Sequence, residues 1–229
     1  MKFKMLALAV LASAVTLAAC SDDEPVTTAQ LRAVHLSPNA PNVDILVNGA
    51  AVASNVAYLG STSYLSVPSG PATVQVQPVG TNTNVIDETP TLDADEAYTV
   101  LAANFVAQIE AIVLVDDRTA PTTGNVRVRI VHGAPTAPAV DVYVTSPTAD
   151  LATALPVLTN VTFGVASGYL TLPAATYRIR VTVAGTKTVA IDSGVDGVAL
   201  ASGQVRTVIA TDNTGGGIPF GAIILADLN

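Results

Sequence analysis

Two His–Asp pairs with the same spacing are the residues of this sequence best suited to act together in chemistry. His35 precedes Asp44, and His132 precedes Asp141 by the same interval. An antiparallel hairpin over that interval would bring the two side chains of each pair close together. A carboxylate that orients an imidazole is half of a nucleophilic triad, or the outer part of a metal site. The two pairs are therefore candidate functional turns.

The partners that such chemistry needs are missing from the sequence pattern. Ser37 could supply a hydroxyl nucleophile beside His35, but Ala134 stands at the equivalent position beside His132. A zinc site needs three or more ligands, and each motif offers one imidazole. We therefore predict that each histidine hydrogen-bonds Asp or turn backbone and fixes the loop, with no catalytic residue and no metal. A hydrolase or metal-dependent enzyme at these turns, including zinc shared by both histidines, is kept as an alternative.

Two other segments resemble functional loops but have simpler interpretations. Five carboxylates lie between Asp87 and Glu96, a run that suits calcium in ligand type. The run lacks the glycine and glutamate positions of an EF-hand loop, so a solvated acidic turn is favoured. The glycines at 215–217 lack the lysine and following helix of a phosphate-binding loop, which favours a hairpin connection.

The His–Asp motif is part of an internal repeat. Residues 32–47 recur as residues 129–144, a shift of 97 positions (129 minus 32). Tyr64-Leu65 return as Tyr169-Leu170, and Ala111 to Asp116 return as Ala222 to Asp227, with the shift growing to 111 (222 minus 111). The second copy must therefore carry longer loops. The repeat predicts one domain over 31–117, a linker at 118–124 and a second domain over 125–229.

Strands dominate the predicted secondary structure of each copy. Short runs of Val, Ile, Leu and Thr alternate with clusters of Pro, Gly, Asn and Asp, and no long stretch has apolar residues at helical spacing. About seven such strands per copy predict an all-β fold of two tandem β-sandwiches, immunoglobulin-like or transthyretin-like. Barrel topologies also fit this pattern.

The repeated motif resembles a known family. Both copies read Arg-x-x-His-x-x-Pro-x-x-Pro-x-Val-Asp-x-x-Val and later Tyr-Leu-x-Val/Leu-Pro, which is similar to the family of unknown function DUF4397. The resemblance extends over nearly all of the sequence after residue 30. It implies a bacterial cell-envelope protein with tandem β-sandwich modules, and it implies no catalytic residues.

The first thirty residues have the pattern of an exported, lipid-anchored protein. Lys2 and Lys4 precede an apolar run, and Leu17-Ala18-Ala19-Cys20 resembles the lipobox of bacterial lipoproteins. This predicts a signal peptide over 1–19, lipidation of Cys20 and a polar tether over 20–30. Because Ser21, not aspartate, follows the cysteine, the resemblance favours the outer membrane over the inner membrane. An ordinary secretory signal with an incidental cysteine is the alternative.

Charge and composition narrow the function classes further. The net charge is -8, which argues against nucleic acid as a partner because a phosphate backbone attracts clustered Lys and Arg. Residues 31–117 hold one basic and nine acidic residues, whereas 125–229 hold six of each. By alternation, Arg127 and Arg129 should share one sheet face, either as a patch for acidic groups or as ordinary solvated arginines.

These observations favour a non-catalytic binding, adhesion or scaffold module of the cell envelope, with no cofactor. Its expected partners are the membrane, through the lipid anchor, and an envelope protein or glycan. Polysaccharide binding is kept as an alternative, although tryptophan is absent and sugar rings are usually held by aromatic faces.

The anchor can be tested by replacing its attachment atom. We expect the natural protein to sediment with membranes and the Cys20→Ser variant to move to the soluble fraction, because each buried methylene of an acyl chain contributes about 0.8 kcal/mol to membrane binding. Immunoblots of fractionated cells measure this distribution. If both proteins fractionate alike, the incidental-cysteine alternative is correct.

Overall fold

The computed structural model of this chain describes residues 26–229. Strands make up nearly all of its regular structure, so the predicted all-β fold class is confirmed. The predicted signal peptide over 1–19 and Cys20 lie outside the described residues, and the tether is described only from residue 26. Within this described part, no helix has the length and apolar character needed to cross a membrane.

Ten strands and one short 3-10 helix form the first half of the described chain. They are β1 Thr28–Leu36, β2 Val43–Val47, β3 Ala50–Val56, β4 Leu65–Pro68, β5 Gly70–Pro71, β6 Val74–Pro78, β7 Ile86–Glu88, β8 Thr91–Leu92, β9 Ala97–Ala103, the 3-10 helix Val106–Gln108, and β10 Glu110–Val115. One sheet has the order β10-β9-β1-β4, and a second has the order β3-β2-β6-β7. Strands β5 and β8 pair separately.

Nine strands form the second half. They are β11 Asn125–His132, β12 Val140–Thr145, β13 Leu158–Val161, β14 Leu170–Pro173, β15 Ala175–Val183, β16 Val189–Asp192, β17 Val198–Leu200, β18 Val205–Thr211 and β19 Gly221–Leu228. Their sheets have the orders β14-β11-β18-β19 and β13-β12-β15-β16, with β17 on the end of β15.

The two halves repeat one strand arrangement. In each, the first strand pairs in parallel with the next-to-last one, β1 with β9 and β11 with β18, while the other pairings are antiparallel. We call the sheet that contains the parallel pair the inner sheet of its half and the other the outer sheet. The arrangement matches the sequence repeat, whereas the domain boundaries at 117 and 125 stay a prediction.

The two inner sheets pack against each other. One cluster of buried side chains at this junction includes Val34 and Leu101 from the first half, with Val131 and Ile209 from the second. The opposite faces of the same strands cover the outer sheets, as Ala33 and Ala102 do in the first half. Each inner sheet is thus covered on both faces, which is why all residues of β9 are buried.

Charged residues are buried at the same junction, in two reciprocal pairs. Arg32 of β1 reaches across to Asp227 of β19, with Nη2 lying 2.6 Å from Oδ1. Arg129 of β11 reaches in the opposite direction to Asp116, which directly follows β10. All four side chains are buried. Arg129 is 3% exposed, so the expected placement of Arg129 in a surface patch is wrong. The sequence pattern could not show that a second half covers this face.

Hydroxyl groups of threonine and tyrosine side chains hydrogen-bond to the charged groups of both ion pairs. Thr99 accepts from both Nε and Nη2 of Arg32, at 3.1 and 2.8 Å, and donates to Oδ2 of Asp116. Tyr64 donates to the same carboxylate oxygen at 2.7 Å. Thr207 and Tyr169 make the matching contacts in the second half. Burial and the charge of Asp116 raise the pKa of Tyr64, so its hydroxyl stays protonated as a donor.

Removing one cation of this network should destabilise the whole protein. We expect Arg129→Met and its counterpart Arg32→Met each to lower the free energy of unfolding by about 3–5 kcal/mol, because each removes the nearest cation of a buried carboxylate. Urea denaturation measures the change.

Arg127→Met on the same strand is the matched control. Arg127 pairs with Asp117, a half-exposed residue, and an exposed pair contributes about 1 kcal/mol or less. Equal losses in all three variants would contradict a special role for the buried pairs.

Candidate functional site

Each predicted histidine lies at the end of an inner-sheet strand and bonds to its own turn. Nε2 of His35 lies 3.1 Å from the carbonyl oxygen of Pro41, and the backbone N–H of Ser37 points to Nδ1 at 3.4 Å. Because a carbonyl only accepts, Nε2 carries the hydrogen. His132 has the same two contacts, with Pro138 and Ala134. Both imidazoles hold a Pro-containing turn in place.

The predicted aspartates hold a different connection. Oδ1 of Asp44 accepts from the backbone N–H of Asn55 at 2.8 Å, and Oδ1 of Asp141 accepts from that of Asn160 at 2.8 Å. Both asparagines have positive φ angles, of 56° and 52°. Across the described residues, no hydrogen bond joins the histidine of a pair to its aspartate. In each pair, therefore, the histidine and the aspartate bond to different parts of the backbone and do not form a His–Asp dyad.

The remaining sequence candidates give no assembled polar site in the structure. Asp87 accepts hydrogen bonds from Gln75 and Asn84, its neighbours on and beside the outer sheet. The hydroxyl oxygen of Ser37 is buried and has no hydrogen-bond partner. Within residues 26–229, no group of three or more His, Cys, Asp or Glu residues is placed to hold a metal ion.

A cleft between the two sheets of the second half is the feature that sequence reasoning missed. Its volume is about 370 Å³, within the lower part of the range typical for ligand sites. It lies between β15 and β16 of the outer sheet and β18 and β19 of the inner sheet. The lining is Ile130, Val142, Ile179, Val181, Ala190, Ile191, Asp192, Ser193, Val198, Val208, Ala210, Phe220, Gly221, Ala222 and Ile224.

The inner end of the cleft is buried, whereas its mouth is exposed to solvent. Val142 and Val208 at its inner end belong to the buried core of the second half. At the mouth, Ile224 is 45% exposed although it is a large apolar residue. An exposed isoleucine beside a cavity lined by core residues leaves an apolar surface open to a ligand.

Asp192 is the only charged residue among the lining side chains, and its charge is already paired. Its carboxylate receives two hydrogen bonds from Arg178, from Nε at 2.9 Å and from Nη2 at 2.6 Å. These bonds hold the pKa of Asp192 below its usual value and raise that of Arg178. The cleft therefore offers a ligand van der Waals contact with apolar side chains, and the negative charge at its polar edge is neutralised by Arg178.

The first half fills part of the equivalent space. There, Ile86 of β7 is buried in a cluster that also includes Ile109 and Ala111, beside and within β10. A notch of about 330 Å³ remains at that edge, and it is bordered by Glu88 and Glu110. We call the open edge between the inner and the outer sheet of one half its seam. The two halves thus share one arrangement of strands but differ in the residues that their seams expose to solvent.

Loop lengths explain this difference and are visible in the sequence. The connection from β7 to β8 is residues 89–90, whereas that from β16 to β17 is 193–197. The connection from β9 to β10 is residues 104–109, whereas that from β18 to β19 is 212–220. Ser193 and Phe220, at the ends of the longer loops, line the cleft. The numbering offset between equivalent residues of the two copies grows along the chain, and this growth is the sequence signal that could have indicated the position of the cleft.

Comparison with known proteins places the chain in a family. The model described as "Domain of unknown function (DUF4397)" matches residues 29–143, just over half of the chain. The chain belongs to the DUF4397 family. The matched region of this DUF4397 protein contains all of the first half and continues through β11 into β12. No curated protein matches the chain.

Solved structures show only distant likeness to this DUF4397 protein. The Bacillus anthracis TIE protein is 14% identical, with a TM-score of 0.26, and the match covers 81% of this chain but 34% of that one. A family CBM26 module of Eubacterium rectale Amy13K, solved with maltoheptaose, is 11% identical over 86% of this chain and 96% of its own, with a TM-score of 0.25. A leucine-rich repeat protein of Bacteroides thetaiotaomicron is 15% identical over 82% of this chain and 26% of its own, with a TM-score of 0.20. These low scores carry no functional argument.

The buried position of His35 predicts a pH dependence of stability. Burial lowers the pKa of His35, so the unfolded chain binds a proton near pH 6.5 that the folded chain does not bind. The free energy of unfolding should therefore fall as the pH drops below about 6.5. Urea denaturation at pH 7.5 and pH 5.5 measures the fall. His35→Gln, which keeps a donor for Pro41, should show a smaller one; an unchanged pH dependence would contradict this assignment.

Proposed function

We propose that this DUF4397 protein is a non-catalytic binding module of the cell envelope, anchored through lipidated Cys20, and that its ligand contacts the cleft of the second half. The outer membrane is the proposed location. The observation that carries the binding role is the apolar cleft, which is open at Ile224 and reaches core residues.

The buried junction between the halves supports this role by fixing the cleft relative to the first half. Two charge pairs and one continuous apolar cluster join the inner sheets, so bending between the halves would expose unpaired charges. The anchor precedes the first half in the sequence, and the cleft belongs to the second. The first half therefore acts as a rigid spacer between the tether and the cleft.

The distribution of charge agrees with a ligand site in the second half. The first half carries most of the negative charge, with one basic and nine acidic residues over 31–117. The second half is balanced, and Arg178 neutralises the one acidic residue in the cleft lining. Anionic groups therefore meet less electrostatic repulsion there than at the first half.

A photo-crosslinker placed at the mouth of the cleft tests the binding role. We expect p-benzoylphenylalanine at position 224 to form an ultraviolet-dependent adduct in intact cells, detected as a mass change of the purified protein. The same group at position 113 is the matched control, because Val113 is the repeat counterpart of Ile224 and is 39% exposed.

The two positions give distinguishable outcomes. An adduct at 224 and none at 113 supports a ligand site in the cleft of the second half. Equal labelling at both positions, or labelling at neither, contradicts it.

A further inference from the structure

We propose that the cleft of the second half binds a single linear acyl chain, as in a fatty acid, with the polar head left at the mouth. This inference rests on the proposed function, because it names the ligand of the same site. Three observations support it: the lining chemistry, the volume of the space and the character of the mouth.

The lining favours a saturated hydrocarbon over a sugar or an aromatic ring. Most of the side chains that face the cleft are valine, isoleucine or alanine, and Phe220 is the one aromatic residue among them. Sugars and planar rings are usually held by stacking on aromatic faces, which the opposite walls of this cleft lack. Aliphatic walls instead give dispersion contacts to each methylene that enters.

The space between the walls suits a narrow, extended ligand. The walls belong to two sheets of one sandwich, and packed sheets lie about 10 Å apart before their side chains are counted. A volume of about 370 Å³ at about 30 Å³ for each water-sized group accommodates on the order of ten such groups. An acyl chain of on the order of ten carbons therefore matches this volume.

The mouth can hold a polar head without burying it. Ile224 is exposed at the opening, and Ser193 and Asp192 form its polar edge. The two hydrogen bonds from Arg178 offset the charge of Asp192, so a carboxylate head is not repelled by an unpaired anion.

An extended peptide is the competing ligand, because β19 is an edge strand to which another strand could add. A strand added at that edge would place its side chains over the mouth. The cleft, however, extends inward to Ile130 and Val142, on strands in the middle of the two sheets. A chain that enters end-on reaches that depth, which favours an acyl chain over a peptide strand.

Fluorescence titration with cis-parinaric acid, a fatty acid whose emission rises in an apolar site, tests the proposal on the full-length Cys20→Ser protein. We expect saturable binding of one probe per chain and displacement by dodecanoate. Displacement by a lysophospholipid as well would indicate that the chain is recognised whatever head group it carries, while displacement by dodecanoate alone would indicate a free fatty acid.

Substitutions at the mouth locate the binding site. Ala222→Phe places a ring in the opening, and Ile224→Asp places a charge there; we expect each to weaken probe binding at least tenfold. Ala226→Phe, on the same strand but outside the lining, and Val113→Asp, at the counterpart of Ile224, should bind the probe like the parent protein. Urea denaturation confirms that each variant is folded.

The results separate this inference from the proposed function. Absence of saturable binding, or equal binding in Ala222→Phe and the parent protein, overturns the acyl-chain inference. If the crosslinker at position 224 still forms an adduct, the binding role stands and the ligand belongs to another class. A polypeptide adduct would identify the strand-adding peptide as that ligand.

Discussion

The exchange of arginine and aspartate between the two halves is the constraint on which the rest of the structure depends. Arg32 is paired with Asp227 and Arg129 with Asp116, all within a buried apolar junction. An ion pair that leaves water gains stability only when its geometry and hydrogen bonds are complete, so small shifts between the sheets are costly. The pairs therefore define one docking of the halves more than they add stability of their own.

This docking determines which surfaces can carry function. It covers both faces of each inner sheet and leaves the outer sheets, with the seams beside them, in contact with solvent. The histidine turns lie at the ends of the inner strands and are occupied by backbone contacts with Pro41 and Pro138. The seam between β16 and β19 lies at the edge of the molecule, where longer loops can hold the two sheets apart without disturbing the junction.

Duplication and divergence account for the difference between the halves. The polar residues of the junction are the same in both copies: an arginine on the first strand, a threonine on the next-to-last strand, a tyrosine just before the fourth strand and an aspartate near the end. The loops that border the seam are not the same. One copy keeps a notch bordered by Glu88 and Glu110 at its seam, and the other has a cleft lined mainly by apolar side chains between Asp192 and Ile224. A shared framework thus supports a notch with acidic borders in one half and an apolar cleft in the other.

The sequence by itself determined the repeat, the all-β class and the family resemblance, because these depend on local pattern and short loops, but it left open whether His35 and His132 bond to Asp or to turn backbone. It could not determine the partners of Arg32 and Arg129, since Arg32 and Asp227 are 195 positions apart and meet only when the halves dock. Alternation correctly put Arg127 and Arg129 on one face but could not reveal that this face is partly covered. The longer loops of the second copy were visible in the sequence, but only the tertiary structure showed that they border a cleft, because the cleft lies between two sheets whose spacing no single residue encodes.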